Sequence, residues 1–200
     1  LRPKANNIPE VFLWTLDDAY RGPGHLIRRL QQIAVAIFMD EFKNLDITPV
    51  QHIALVAVRD RPGLEQQAIA DLIAIDRSSA GRVFQFLEDR GLVQRITPKS
   101  NRRTKQAFVT PAGTRLLNTG AKLIRKAEER ILKVLGSQEQ QQFMAQLVKL
   151  VDVNNTLSRA PLRMPGIVAF EERRPAIEPP MAMNDLQTLA QRGRMKGRGF

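Results

Sequence analysis

Arg77, Ser78, Ser79, Arg82 and Gln85 stand close enough in the chain to crowd one side of a helix. At about 100° per residue, Ser78, Arg82, Gln85 and Asp89 share a face. Ser79 lies beside that face and Arg77 at the first turn. Such a surface offers hydroxyls, an amide and guanidinium groups, and a guanidinium pairs bidentately with a guanine edge. Farther on, Pro98–Lys105 carries four positive charges and no negative ones, on Lys99, Arg102, Arg103 and Lys105. A loop of that kind contacts phosphates or places an arginine in a minor groove. From Arg77 to Arg115 there are nine Lys/Arg against two Asp/Glu. The chemistry these residues can do is recognition of a polyanion, not the making or breaking of bonds.

No catalytic set stands elsewhere. Cysteine is absent, and His25 and His52 are the only histidines, too few and too far apart for a metal site. There is no His-x-x-x-His, no Gly-rich phosphate loop and no Gly-x-Ser-x-Gly, and the acidic residues mostly occur singly. The expectation is a binding protein, not an enzyme, with no cofactor and no metal. The formal net charge of +11 favours a polyanionic partner, double-stranded DNA before others. Lack of cysteine fits a reducing cytoplasm. Nothing resembles a signal peptide, and no apolar run approaches the ~20 residues that span a bilayer.

The elements that must hold these residues follow from periodicity and caps. Within Asp76–Arg90, Ala80, Val83, Phe84 and Leu87 share the face opposite the polar one, so the segment reads as a helix with a core side and a reading side. Asp76 is its N-cap and Gly91 its left-handed stop. Leu92–Thr97 and Lys105–Thr110 read as two strands around the basic loop. Upstream, Thr48-Pro49-Val50-Gln51 is a capping box opening a nearly apolar central helix that ends before Pro62-Gly63. A short helix over about Glu65–Ile73 precedes the turn at Ala74-Ile75. The result is a mainly α fold with a small β-wing: a winged helix-turn-helix plus an α-helical dimerisation region.

The flanks supply that region. Residues 1–24 form an N-terminal arm with Val11, Phe12, Leu13, Trp14 and Leu16, interrupted at Arg21-Gly22-Pro23-Gly24. Residues 25–47 hold a helix, about His25 to Asn44, with two apolar stripes: Leu26, Leu30, Ile33 and Ile37, then Ile27, Ala34, Phe38, Phe42 and Leu45. Two stripes imply burial on two sides, one against the chain's own domain and one against a second copy. The DNA-binding lobe is 48–110. Residues 111–158 hold two more amphipathic helices, about Pro111–Leu135 and Gln138–Thr156, the second opened by Ser137-Gln138-Glu139-Gln140. Residues 159–200 are a Pro/Gly-rich basic tail, disordered by composition.

Taken together, these motifs resemble the MarR family of winged-helix regulators over about His25 to Val153. The resemblance rests on Thr48-Pro49-Val50-Gln51, Asp76-Arg77-Ser78-Ser79, Leu87-Glu88-Asp89-Arg90-Gly91-Leu92-Val93, the Arg102-Arg103-Thr104-Lys105 wing and Val109-Thr110-Pro111-Ala112-Gly113. One departure is Asn101, where the family's wing usually has an Asp that anchors a wing arginine. The run Pro23 to Gln32 is similar to the start of helix one in members that sense aromatic acids. That resemblance implies Arg28 as the partner of a ligand carboxylate, with Arg29 as the adjacent alternative and His25 or His52 as hydrogen-bonding partners. It also implies a homodimeric repressor on a pseudo-palindromic operator, released or held by a small aromatic acid. The competing expectation is an architectural or nonspecific DNA-binding protein that works through its basic tail.

Overall fold

Side-chain caps set most of the helix starts. The computed structural model describes residues 14–98 and 104–163. Thr15 begins α1 (Leu16–Arg21): its hydroxyl accepts from Asp18 N at 3.2 Å, and the Asp18 carboxylate takes the Thr15 N–H at 3.0 Å. Part of the expected arm is therefore helical, while Val11, Phe12 and Leu13 lie outside the described residues. The Gly-Pro-Gly run separates α1 from α2 without stopping helix formation, because Gly22 caps α2 (Pro23–Glu41) and Pro23 takes its first position. Proline forfeits no helical bond there. Thr48 and Gln51 form the expected box at the head of α3 (Pro49–Asp60), with Thr48 N to Gln51 Oε1 at 2.9 Å.

After α4 (Gln66–Leu72), the chain turns through Ala74 in the left-handed region (φ 55°) and enters α5 (Arg77–Asp89) from the Asp76 cap. Gly91, at φ 63°, ends it as expected. Strands β1 (Val93–Ile96) and β2 (Gln106–Val109) pair antiparallel in the register Val93↔Val109 to Ile96↔Gln106. A further pairing has no counterpart in the sequence pattern. Gly63 N donates to Ala107 O at 2.9 Å and Ala107 N to Leu64 O at 3.0 Å, so the stretch after α3 lines the free edge of β2. Pro62-Gly63 thus ends one element and ties down another. Thr110 then caps α6 (Pro111–Leu132), accepting from Gly113 N at 3.1 Å while its hydroxyl donates to Gly91 O at 2.6 Å. The cap of α7 (Ser137–Asn154) is Gly136 rather than Ser137: the Glu139 carboxylate takes the Gly136 N–H at 2.7 Å, so Ser137 is already helical. A 3-10 turn, Asn155–Leu157, follows.

The core joins α2 to the winged lobe. Phe38 and Phe42 from α2 and its end, Leu55 and Val58 from α3, Ile69 from α4, Phe84 and Leu87 from α5, and Leu117 from α6 are all buried. The Phe38 and Phe42 rings stack at 4.0 Å, and Gly120 of α6 packs so closely that an added Cβ would lie 3.1 Å from Phe42. Central α3 is not apolar all round in effect, since Ile53 is 45% exposed. Only the C-terminal end of α2 enters the core. Leu26, Ile27 and Ile33 stay exposed, and α7 buries no residue while exposing Met144, Leu150, Val151 and Val153. Charge fixes α2 against α6: Arg130 pairs with Asp40 at 2.7 Å and with Glu41, and Lys126 pairs with Glu41 at 3.0 Å.

Candidate nucleic-acid interface

The face of α5 divides as its periodicity predicts. Ala80, Val83, Phe84 and Leu87 are buried; Arg77, Ser78, Arg82, Gln85 and Asp89 point outward and Ser79 is half-buried. Asp76 organises the start of this face. Its Oδ1 accepts from Ser79 N at 2.9 Å and from the Ser78 hydroxyl, and its Oδ2 accepts from the Ser79 hydroxyl at 2.8 Å. Those bonds, the Ser78 hydroxyl's foremost, hold its carboxyl well below the usual aspartate range. Ser79 Oγ in turn accepts from the Arg82 guanidinium at 3.2 Å. A continuous chain, Asp76 to Ser79 to Arg82, therefore aims the central arginine before any partner arrives.

This chain narrows what the face can offer. Ser78 and Ser79 have committed their protons to Asp76, so each offers a partner only an acceptor. The helix N-terminus is held by the chain's own carboxylate at Ser79 N, the cap expected of Asp76. Gln85 is also engaged: it donates to Asp89 Oδ1 at 2.7 Å and accepts from Arg95 at 3.4 Å. Arg77 and Arg82 are the cations of this face.

Two of the positive charges counted from the sequence belong to the scaffold. Arg95 of β1 turns inward, donating to Glu88 Oε2 at 2.8 Å through Nε and to Gln66 Oε1 at 3.0 Å. It thereby fastens the wing to both helices of the helix-turn-helix, and its bond to Glu88 holds that carboxyl below its ordinary value. Arg90 donates to Leu45 O at 3.1 Å and to Asp46 O, and lies over the Phe86 ring at 5.4 Å. It braces the loop between α2 and α3, where Asp46 has a φ of 44°. Lys105 is exposed at the foot of the wing. Lys99, Asn101, Arg102 and Arg103 lie outside the described residues.

The four residues implied as ligand partners do not converge. Arg28 and Arg29 are exposed on α2 and both reach Gln32 Oε1, at 3.3 and 3.5 Å. His25 sits edge-on to Tyr20, ring centroids 5.1 Å apart. His52 is buried, 5.2 Å from Phe42 and 5.8 Å from Phe38 between ring centroids. Burial, aided by nearby Arg59, pushes its pKa down and keeps it neutral. It lines a cleft of about 280 Å³ between α3 and α6, with Val56, Arg59, Leu117, Ile124 and Arg125. The spacing His52, Val56, Arg59 is one helix face, which was legible; that Arg125 would face it from α6 was not. Arg59 pairs with Asp60 at 2.7 Å, whereas Arg125 has no carboxylate partner among the described residues.

Among the described residues no group of His, Asp or Glu could hold a metal ion, and no helix is long and apolar enough to cross a membrane. Comparison with known proteins agrees with the geometry. A model of the MarR family matches residues 47–105. The chain is 33% identical over 101 residues to an uncharacterized HTH-type transcriptional regulator, YybA of Bacillus subtilis, covering 50% of this chain and 65% of that relative. The solved structure of the transcriptional regulator SlyA is 30% identical, with a TM-score of 0.55, covering 68% of this chain and 93% of that one. A structure of Bordetella bronchiseptica BpsR, whose DNA binding is regulated by 6-hydroxynicotinic acid, is 26% identical with a TM-score of 0.62, covering 66% and 95%.

Proposed function

The chain belongs to the MarR family of winged-helix transcriptional regulators, and on that premise we propose that it is a homodimeric repressor of a pseudo-palindromic operator. The observation that carries this reading is the Asp76–Ser79–Arg82 chain on the exposed face of α5. An arginine held in place before contact gives up less side-chain freedom on binding a base edge. Arg82 is the reader of a guanine, Arg77 a backbone contact, and Lys105 with Arg102 and Arg103 the wing's hold on phosphate or minor groove. Two copies of α5 would enter successive major grooves, their spacing set by the dimer.

The effector in this reading is a small aromatic acid, as it is for BpsR. The cleft at His52 suits one: aliphatic walls from Val56, Leu117 and Ile124, an imidazole, and the guanidinium groups of Arg59 and Arg125. Arg125 is the carboxylate partner there, and Arg28 of α2 is the alternative, reached across the dimer. Because α6 leads from the wing towards the dimer frame, a ligand wedged between α3 and α6 favours one lobe angle. It shifts DNA affinity only by its preference for that angle. A thermal-shift panel of benzoate-type and hydroxynicotinate-type acids tests this. Stabilisation of the parent that is lost in Arg125→Ala or Arg28→Ala supports the site and says which arginine serves. No stabilisation by any acid overturns the effector class.

A further inference from the structure

The chain beyond α7 returns to the helix-turn-helix, and it is tied there by specific bonds. The side-chain amide of Asn155 grips one residue twice: Nδ2 donates to Leu162 O at 3.0 Å and Oδ1 accepts from Leu162 N at 2.8 Å. The Ser158 hydroxyl accepts from Ala160 N at 3.2 Å within the loop so closed. The next residue, Arg163, donates its N–H to Asp71 O of α4 at 2.9 Å. Residues 159–163, expected from composition to begin a disordered tail, thus close a loop with 155–158 that is bonded to the DNA-binding lobe. Between this loop and the N-terminal end of α5 runs a groove of about 420 Å³ with Gln67, Asp71, Asp76, Arg77, Arg159 and Arg163 on its walls.

The charges of this groove are unbalanced in one direction. Arg77, Arg159 and Arg163 are exposed, and none has a carboxylate within salt-bridge distance among the described residues. Both carboxylates are already engaged: Asp76 caps α5, and Asp71 accepts from the Gln67 amide at 2.8 Å. Arg77 opens the helix that carries the reading face, so the groove lies where the phosphates beside an occupied major groove would pass.

We infer that Arg159 and Arg163, held by the Asn155 clamp next to Arg77, form a second grip on the DNA backbone. The inference rests on the DNA-binding reading above and adds a contact outside helix and wing. Tethering the loop would account for the Asn155 and Asp71 bonds; it leaves two unpaired arginines on the DNA side unexplained. Guanidinium groups on a fixed backbone suit phosphate oxygens, which they neutralise without reading sequence.

The test uses the full chain and fluorescence anisotropy with its own upstream DNA and with random duplex, over a range of salt. Arg159→Ala/Arg163→Ala should weaken binding about tenfold or more near physiological salt. The salt slope should become shallower by about one for each phosphate that is no longer neutralised, alike on both duplexes. Arg159→Lys/Arg163→Lys should retain most of the slope. Asn155→Ala, with charge unchanged, should lose part of the affinity because the loop is no longer pinned. A double-alanine variant with the parent's affinity and slope overturns the proposal while leaving the DNA reading intact, as does a loss confined to the cognate duplex. A parent that shows no salt-dependent binding to either duplex overturns both.

Discussion

Arg82 is positioned through a residue two hydrogen bonds removed from it. Asp76 holds Ser79, and Ser79 holds the guanidinium at 3.2 Å. Removing the reader by Arg82→Ala should cost about 1–3 kcal/mol of discrimination at one base pair, with other positions of the site unaffected. Binding to a set of single-base operator variants measures this. Asp76 also makes stability depend on pH. Its carboxyl is lowered in the folded chain by bonds from Ser78 and Ser79. Such a group stabilises fully above the ordinary aspartate value of about 3.9, and its contribution fades as pH falls through the depressed value. Asp76→Ala should therefore lose less stability than the parent between about pH 5 and pH 3. Urea midpoints at the two pH values decide it; parallel falls would contradict the role assigned to the cap. Charge counting located this face but could not apportion its charges. Arg90 and Arg95 look like Arg77 and Arg82 in a sequence, yet their partners, Leu45 and Asp46 for one and Gln66 for the other, lie tens of residues away.

Among the elements, α6 has a start that tolerates little change. Gly113 packs against the end of the wing: an added Cβ would stand 2.3 Å from Leu92 O and 2.7 Å from Val109 Cγ2. Backbone cannot yield there as a flexible side chain could. Gly113→Ala should destabilise by about 1–3 kcal/mol, even though alanine favours a helix, and thermal melting should show a clear fall in Tm. A raised Tm would mean that helix propensity outweighs the clash. The helices themselves were readable because caps and periodicity are local: Thr48, Asp76, Gly91 and Thr110 stand where their roles require. What sequence did not convey is in part tertiary: the pairing of residues 63–64 with β2 joins segments more than forty residues apart. The cap at Gly136 in place of Ser137 and α1 within the expected arm rest on local bonds between residues three apart, which leave no periodic trace.

On the scale of the molecule, the apolar surface not buried in one chain is the sign of the dimer proposed above. Leu26, Ile27 and Ile33 on α2 and Leu150, Val151 and Val153 on α7 are all exposed, 46% or more. The two stripes read from the sequence do not divide stripe by stripe: Phe38 and Phe42 at the C-terminal end enter the chain's own core, whereas Ile27 of the same stripe and Leu26 and Ile33 of the other are exposed. Leu26→Glu should shift the protein from dimer towards monomer in sedimentation velocity, while a monomeric parent would remove the frame that spaces two recognition helices. The ligand side was least legible. His52 and Arg59 share a readable helix face, but their cleft exists only because Arg125 and Leu117 of α6 come to meet it.

The most direct measurement is binding of the parent and Arg82→Ala to DNA from the chain's own upstream region and to random duplex, as salt is raised. The parent should prefer the upstream DNA, with affinity for both falling steeply with salt, and Arg82→Ala should keep only part of that preference while keeping the salt dependence. Equal binding of the parent to both duplexes, or an undiminished preference in Arg82→Ala, would contradict this expectation.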